Sequence, residues 1–117
     1  MKYLVTDDSK LARLSIVKSL KAHVGDAEIF QAENGEVAVA LVKEHKPDVV
    51  FLDLTMPVLD GYGALPLIKE CNQKIKVIVV SADIQEQAKT KVMALGAEMH
   101  IQKPINADKM QEILELI

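Results

Sequence analysis

The 117-residue chain has no tryptophan, two phenylalanines, two tyrosines and one cysteine. The lone thiol, Cys71, excludes an internal disulfide framework and suits a reducing compartment. Its plain reading is a small residue near a helix end. Basic residues form no block, and no aromatic-plus-arginine cluster occurs, so direct binding to DNA or RNA is not expected. The longest apolar stretches have only strand length, which excludes a membrane-spanning helix, and the N-terminus lacks a signal-peptide pattern. There is no internal repeat, low-complexity segment or linker. Together these absences point to a cytoplasmic protein without a membrane anchor.

What is present suits a single compact domain over residues 1–117. Hydrophobic residues make up 50% of the chain and charged ones 26%, which fits a soluble globular protein and excludes a disordered tail. A chain of this size buries roughly two-thirds of its unfolded surface, enough to fold without staples. The net charge is −3, with acids and bases spread along the chain.

The segment Val49-Val50-Phe51-Leu52-Asp53-Leu54-Thr55-Met56-Pro57 organises the rest. Its apolar run lacks polar alternation, as in a strand covered on both faces of a parallel sheet, and it ends in one carboxylate. A residue just past such a strand lies at the carboxyl edge of the sheet, where open α/β folds place their ligands.

Around it, strand and helix patterns alternate five times. Lys2 to Thr6 is a strand stopping at Asp7-Asp8-Ser9. Leu11, Leu14, Val17, Leu20 and Val24 recur at helical spacing and predict one apolar face, closed by Gly25. Ala27 to Ala32 is a second strand, and Asn34-Gly35 a turn signal. Val37, Ala38, Leu41 and Val42 mark a helix that ends before Pro47. Past Pro57, Asp60 can cap a third helix, but Gly63 and Pro66 fall inside it and predict a late start, a kink or a loose first turn. Lys76 to Val80 is a strand ending at Ser81, followed by a helix from about Ile84 to Leu95 that Gly96 closes. Met99 to Gln102 is the last strand; Lys103-Pro104 follows, and Asn106 caps a helix carrying Met110, Ile113, Leu114 and Ile117. Right-handed crossovers make this an α/β fold with a doubly wound parallel sheet of five strands and five helices.

The strands end in Asp7-Asp8, Asp53, Ser81 and Lys103. Strands about 4.8 Å apart let these side chains converge on one pocket. Two like charges ~4 Å apart repel by about 4 kcal/mol at an effective dielectric of 20. Three carboxylates therefore need compensation, which Lys103 and a hard divalent cation such as Mg²⁺ supply. The chemistry that fits is phosphoryl transfer to a carboxylate. Asp53 is the nucleophile. Asp8, Asp53 and the backbone carbonyl of Thr55 are the metal ligands, with Asp7 contributing through water. Ser81 and Lys103 bind the phosphoryl group.

These motifs, with Asp60-Gly61, Val80-Ser81-Ala82, Gly96-Ala97 and Lys103-Pro104, extend over essentially the whole chain. The chain resembles a bacterial two-component response-regulator receiver domain of the chemotaxis-type, single-domain kind. That resemblance implies a flavodoxin-like sheet of strand order 2-1-3-4-5 and a cis peptide before Pro104. It implies phosphorylation of Asp53 from a phosphohistidine on a partner histidine kinase, dependence on Mg²⁺, and slow self-dephosphorylation, with no turnover of a metabolite. It further implies a downstream protein target bound on the fourth helix, fifth strand and fifth helix, and a monomer when unphosphorylated.

In this family the residue at the position of Ser81 moves towards the phosphate and an aromatic side chain on the fifth strand turns inward. Counting back three from Lys103, that position is His100, a departure from the usual Tyr or Phe. Two readings stay open: a switch residue, whose imidazole would make activation pH-dependent, or a half-exposed strand residue. Thr55 and Asp83 occupy positions that influence dephosphorylation in the family, or are plain loop residues. His23 and His45 read as surface residues near helix ends, Lys89 and Lys91 as solvated, and Met93, Met99 and Met110 as packing.

Two other functions compete. An aspartate-nucleophile phosphohydrolase would carry a second Asp where Thr55 stands, and the chain leaves no room for a substrate cap. A receiver-like binding module that is never phosphorylated would not need the complete set of Asp8, Asp53, Ser81 and Lys103.

Overall fold

The computed structural model describes residues 1–82 and 85–117. The elements run β1 (Lys2–Thr6), α1 (Lys10–His23), β2 (Glu28–Ala32), α2 (Gly35–His45), β3 (Val49–Leu52), α3 (Gly61–Cys71), β4 (Lys76–Ser81), α4 (Glu86–Ala94), β5 (Met99–Gln102) and α5 (Ala107–Leu116). All strand pairs are parallel and the sheet order is β2-β1-β3-β4-β5. This is the flavodoxin-like arrangement expected from the alternation and the resemblance.

Every residue of the central strand β3 is buried. Successive strand side chains point to opposite faces, and two cores result. Tyr3, Val5, Phe51, Ile78 and Val80 pack with Ile16, Val17 and Leu20 of α1 and Met110 and Ile113 of α5. Leu4, Val50, Leu52, Val77 and Val79 pack with Ala38 and Val42 of α2, Ala64, Leu65 and Ile68 of α3, and Val92 of α4. With both faces covered, the sheet is a fixed base for the loops at its carboxyl edge.

Three local expectations need correction. Leu11 and Leu14 do not share the buried face of α1; they are 81% and 43% exposed. Steps of three residues each fall short of a full turn, so Leu11 ends about 180° around the helix from Leu20. Ile16, Val17 and Leu20 form the buried stripe instead. Asn34-Gly35 is a helix start rather than a free turn: Asn34 Oδ1 accepts the Val37 N–H at 2.8 Å, and Gly35 opens α2. The third helix starts directly after Asp60, whose Oδ1 accepts the Gly63 N–H at 2.9 Å, and continues through Pro66 to Cys71. Pro66 leaves one carbonyl without its helical partner, but full burial of Ala64, Leu65 and Ile68 holds the helix against the sheet. The fourth helix begins at Glu86; Ile84, expected at its start, lies outside the described residues.

Two features pin the segment between β3 and α3. A Cβ on Gly61 would collide with the Asp53 carbonyl oxygen and approach Leu54 Cα to 2.8 Å, so only glycine lets α3 seat there. Val58 has φ +69°, and the Leu59 N–H donates to Pro57 O at 2.8 Å, closing a three-residue turn around it. A β-branched residue at positive φ is strained. Because Val58 is 74% exposed, Val58→Gly is expected to stabilise the fold by about 1 kcal/mol, since glycine reaches positive φ without a Cβ clash. Urea unfolding followed by circular dichroism measures it; a lower midpoint in the variant would contradict the strain.

Candidate functional site

β1 and β3 are neighbours in register Thr6↔Leu52, so the residues that follow them emerge side by side. The ladder extends one step beyond the strands. The Asp53 N–H donates to Thr6 O at 3.0 Å, and the Asp7 N–H to Ala32 O at 3.1 Å. Asp7 and Asp53 are 1% and 5% exposed, Asp8 is exposed, and carboxylate oxygens of all three lie within 4.8 Å of one another.

Lys103 reaches this cluster from β5, across the end of β4. Its N–H donates to Ser81 O at 2.8 Å, and its peptide bond to Pro104 is cis. The ammonium lies 2.6 Å from Asp7 Oδ2 and 3.3 Å from Asp53 Oδ1. Asp7 Oδ1 accepts the Ser9 N–H and Asp53 Oδ1 the Leu54 N–H, each at 2.9 Å. Burial, followed by the Asp7 charge, raises the Asp53 carboxyl above its ordinary value, against the opposing pull of Lys103 and the Leu54 N–H. Burial alone would lower Lys103, but its ion pairs with Asp7 and Asp53 together raise it.

The remaining sequence candidates fall into place around this centre. Ser81 is buried at the end of β4, and Thr55 is exposed two residues beyond Asp53. His100 lies on β5 opposite Val79; the residue is half-buried, yet both ring nitrogens are buried and have no hydrogen-bond partner among the described residues. Asp83 lies outside the described residues. His23 ends α1, bonded through Nδ1 to Ser19 O at 2.8 Å, and His45 ends α2, stacked on Phe30 with ring centroids 4.1 Å apart. Neither is near the acidic cluster's ligand set. Lys89 is exposed, whereas the Lys91 ammonium sits 4.2 Å over the Tyr62 ring and ties α4 to α3. Met110 is fully buried, but Met93 is 43% exposed and does not serve the core. Cys71 is a free, exposed thiol at the end of α3.

Arg13 is the residue that sequence reasoning missed. Its Nη1 donates to Asp7 O at 2.7 Å and its Nε to Gln31 Oε1 at 3.3 Å. A single arginine on a helix gives no signal until the first turn of α1 is known to lie over the end of β1.

The donor set fits a hard divalent cation. Three carboxylates face one ammonium, and the Asp8 carboxylate has no hydrogen bond or ion pair among the described residues. The Asp53 carboxyl is raised by burial first and by the Asp7 charge second. All-oxygen ligands with room for water are the environment Mg²⁺ prefers.

A 2-1-3-4-5 sheet with a buried aspartate and an acidic pair at its carboxyl edge defines the receiver class of α/β signalling domains. The model of the response regulator receiver domain matches residues 3–115. The chain is 36% identical over 111 residues to chemotaxis protein CheY of Bacillus subtilis, covering 95% of this chain and 92% of that one. It is 37% identical over 115 residues to CheY of Listeria monocytogenes, covering 98% and 96%. The solved CheX-CheY-BeF3-Mg complex from Borrelia burgdorferi contains a chain superposing with TM-score 0.92 at 32% identity, covering 99% of this chain and 88% of that one. The chain belongs to the response regulator receiver domain family and is a receiver of the CheY type. No helix among the described residues is long and apolar enough to cross a membrane.

The raised Asp53 carboxyl has a consequence for stability. The folded state holds this proton more tightly than the unfolded chain, so stability falls as pH rises from the ordinary Asp range to the raised value, and stays lower above it. Lys103 acts in the opposite sense; its contribution is present at neutral pH and lost only above the ordinary lysine range. In chelator, Asp53→Asn is expected to raise the Tm at about pH 7 and to leave it nearly unchanged at about pH 3, below the ordinary Asp value. A scan of Tm against pH for both proteins checks this; a gain as large in acid as at neutrality would contradict it.

Proposed function

We propose that this receiver is a phosphorylation-activated signalling switch of a two-component system. Asp53 is the phosphoryl acceptor and a phosphohistidine on a partner histidine kinase is the donor. The observation that carries the reading is the buried Asp53 carboxylate with Lys103 at 3.3 Å and the acidic pair beside it. Among the described residues, both contacts to the Asp53 carboxylate fall on Oδ1, which leaves Oδ2 as the oxygen to attack. The Asp53 oxygen bonds to phosphorus as the P–N bond breaks, and the bonding pair leaves on the imidazole nitrogen. Lys103 holds a phosphoryl oxygen, and the Ser81 hydroxyl holds another after moving towards it. Asp8, Asp53 and the Thr55 carbonyl hold Mg²⁺, with Asp7 joined through water. Bound there, Mg²⁺ offsets the negative charge that carboxylates and phosphoryl oxygens bring together.

The signal leaves through protein contacts on the face of α4, β5 and α5, where Lys89 and Met93 are exposed. A CheY in complex with CheX supports a protein target for this class. Domain extent 1–117, cytoplasmic location and a monomeric resting state belong to the same reading.

Incubation with acetyl phosphate and Mg²⁺ is expected to give one phosphoryl adduct by intact-protein mass spectrometry, lost with chelator and in Asp53→Asn. An adduct that survives Asp53→Asn would move the acceptor elsewhere. No adduct on folded protein, from acetyl phosphate or a phosphohistidine donor, would leave an unphosphorylated binding module as the function.

His100 is proposed as the switch residue. It occupies the family's switch position on β5, half-buried opposite Val79. His100→Ala is expected to lower the activated fraction of the phosphorylated protein, read by NMR; an unchanged fraction would count against His100.

A further inference from the structure

We infer that Arg13 is a positioning residue that aims the Asp8 carboxylate into the cation site by holding the carbonyl oxygen of Asp7. The inference rests on the reading of the acidic cluster as a cation site. Asp7 is tied at each of its polar groups. Its N–H donates to Ala32 O at 3.1 Å, its Oδ1 accepts the Ser9 N–H at 2.9 Å, and its Oδ2 pairs with Lys103 at 2.6 Å. Its carbonyl oxygen accepts from Arg13 Nη1 at 2.7 Å. That carbonyl belongs to the planar peptide that joins Asp7 to Asp8, so fixing it fixes the nitrogen and Cα of Asp8. The Asp8 side chain has no tether of its own among the described residues, so the backbone fixes the direction of its Cα–Cβ bond, and from there the carboxylate reaches the cluster by its choice of rotamer. The second anchor of the guanidinium, Gln31 Oε1 at 3.3 Å, keeps the planar fork from rotating away from Asp7 O.

Two simpler roles make different demands. A guanidinium acting only through its charge would repel a bound cation, so its removal would tighten binding. An arginine that merely staples α1 to the end of β2 would act through Gln31, and its loss would lower stability without changing the cation site.

The test is Mg²⁺ titration of the unphosphorylated chain by calorimetry, with Tm in chelator measured on the same samples. Arg13→Met is expected to weaken Mg²⁺ binding about tenfold, in the range seen when groups that orient metal ligands are removed, although it deletes a repelling charge. Arg13→Lys keeps the charge and one donor but not the fork, and is expected to show an intermediate loss; it decides the matter should Arg13→Met not fold. Gln31→Met removes only the longer, second anchor and is expected to cost less than either arginine substitution. Unchanged or tighter binding in the arginine variants, or an equal loss in Gln31→Met, overturns the inference. A parent chain that takes up no Mg²⁺ overturns the cation-site reading itself and this inference with it. A parent that binds while Asp8→Asn binds equally well shows that Asp8 is not a ligand, and overturns the role of Arg13 alone.

Discussion

The convergence of three carboxylates on one sheet edge, against a single lysine, is the constraint on which the rest of this receiver depends. Like charges at these distances repel by several kcal/mol when partly removed from water. Lys103 meets Asp7 more closely than Asp53, at 2.6 Å against 3.3 Å. Burial first, and then the neighbouring Asp7 charge, raise the Asp53 carboxyl against the pull of Lys103. The buried Asp53 carboxylate, whose two contacts among the described residues both fall on Oδ1, is the group on which the proposed cation binding and phosphoryl transfer both rest.

Holding that arrangement needs a base that does not yield. Strand β3 is buried along its whole length and packed on both faces, so the backbone beneath Asp53 has nowhere to relax. The segment after Asp53 is fixed from its far end. Gly61 seats α3 against the Asp53 carbonyl, its N–H donates to Leu54 O at 3.0 Å, and the Gly35 N–H donates to Leu59 O at 2.9 Å. Between these anchors, Val58 is held at positive φ. Strain of this kind persists where neighbouring structure over-determines the chain, and here it lies five residues from Asp53.

Much of this was legible from residue order. Unbroken apolar runs separated by helical periodicity read as a doubly wound parallel sheet because both faces of such strands are covered. The acidic pair, Asp53, Ser81 and Lys103 were legible because strand ends in this topology share one edge. Misreadings arose where local pattern and packing part company. A count of leucines at spacings of three placed Leu11 and Leu14 in the core, yet that spacing winds around the helix. Pro66 reads as a breaker in isolation, and Asn34-Gly35 as a turn, because neither local rule knows which apolar face will be buried beside it.

The order of residues by itself determined the strand and helix alternation, the caps at Asp60 and Asn106, and the chemical identity of the groups at the sheet edge. Those features depend on neighbours within a few positions, where periodicity and hydrogen-bonding type suffice. Only the tertiary structure decided how the single lysine divides itself between two aspartates, that Lys91 rests on Tyr62, and that the His100 ring nitrogens are buried. It likewise decided that Arg13 grips the Asp7 carbonyl. Each of these is a contact between elements whose separation is set by the packing of the whole sheet, and side-chain reach across that distance is written nowhere in the local sequence.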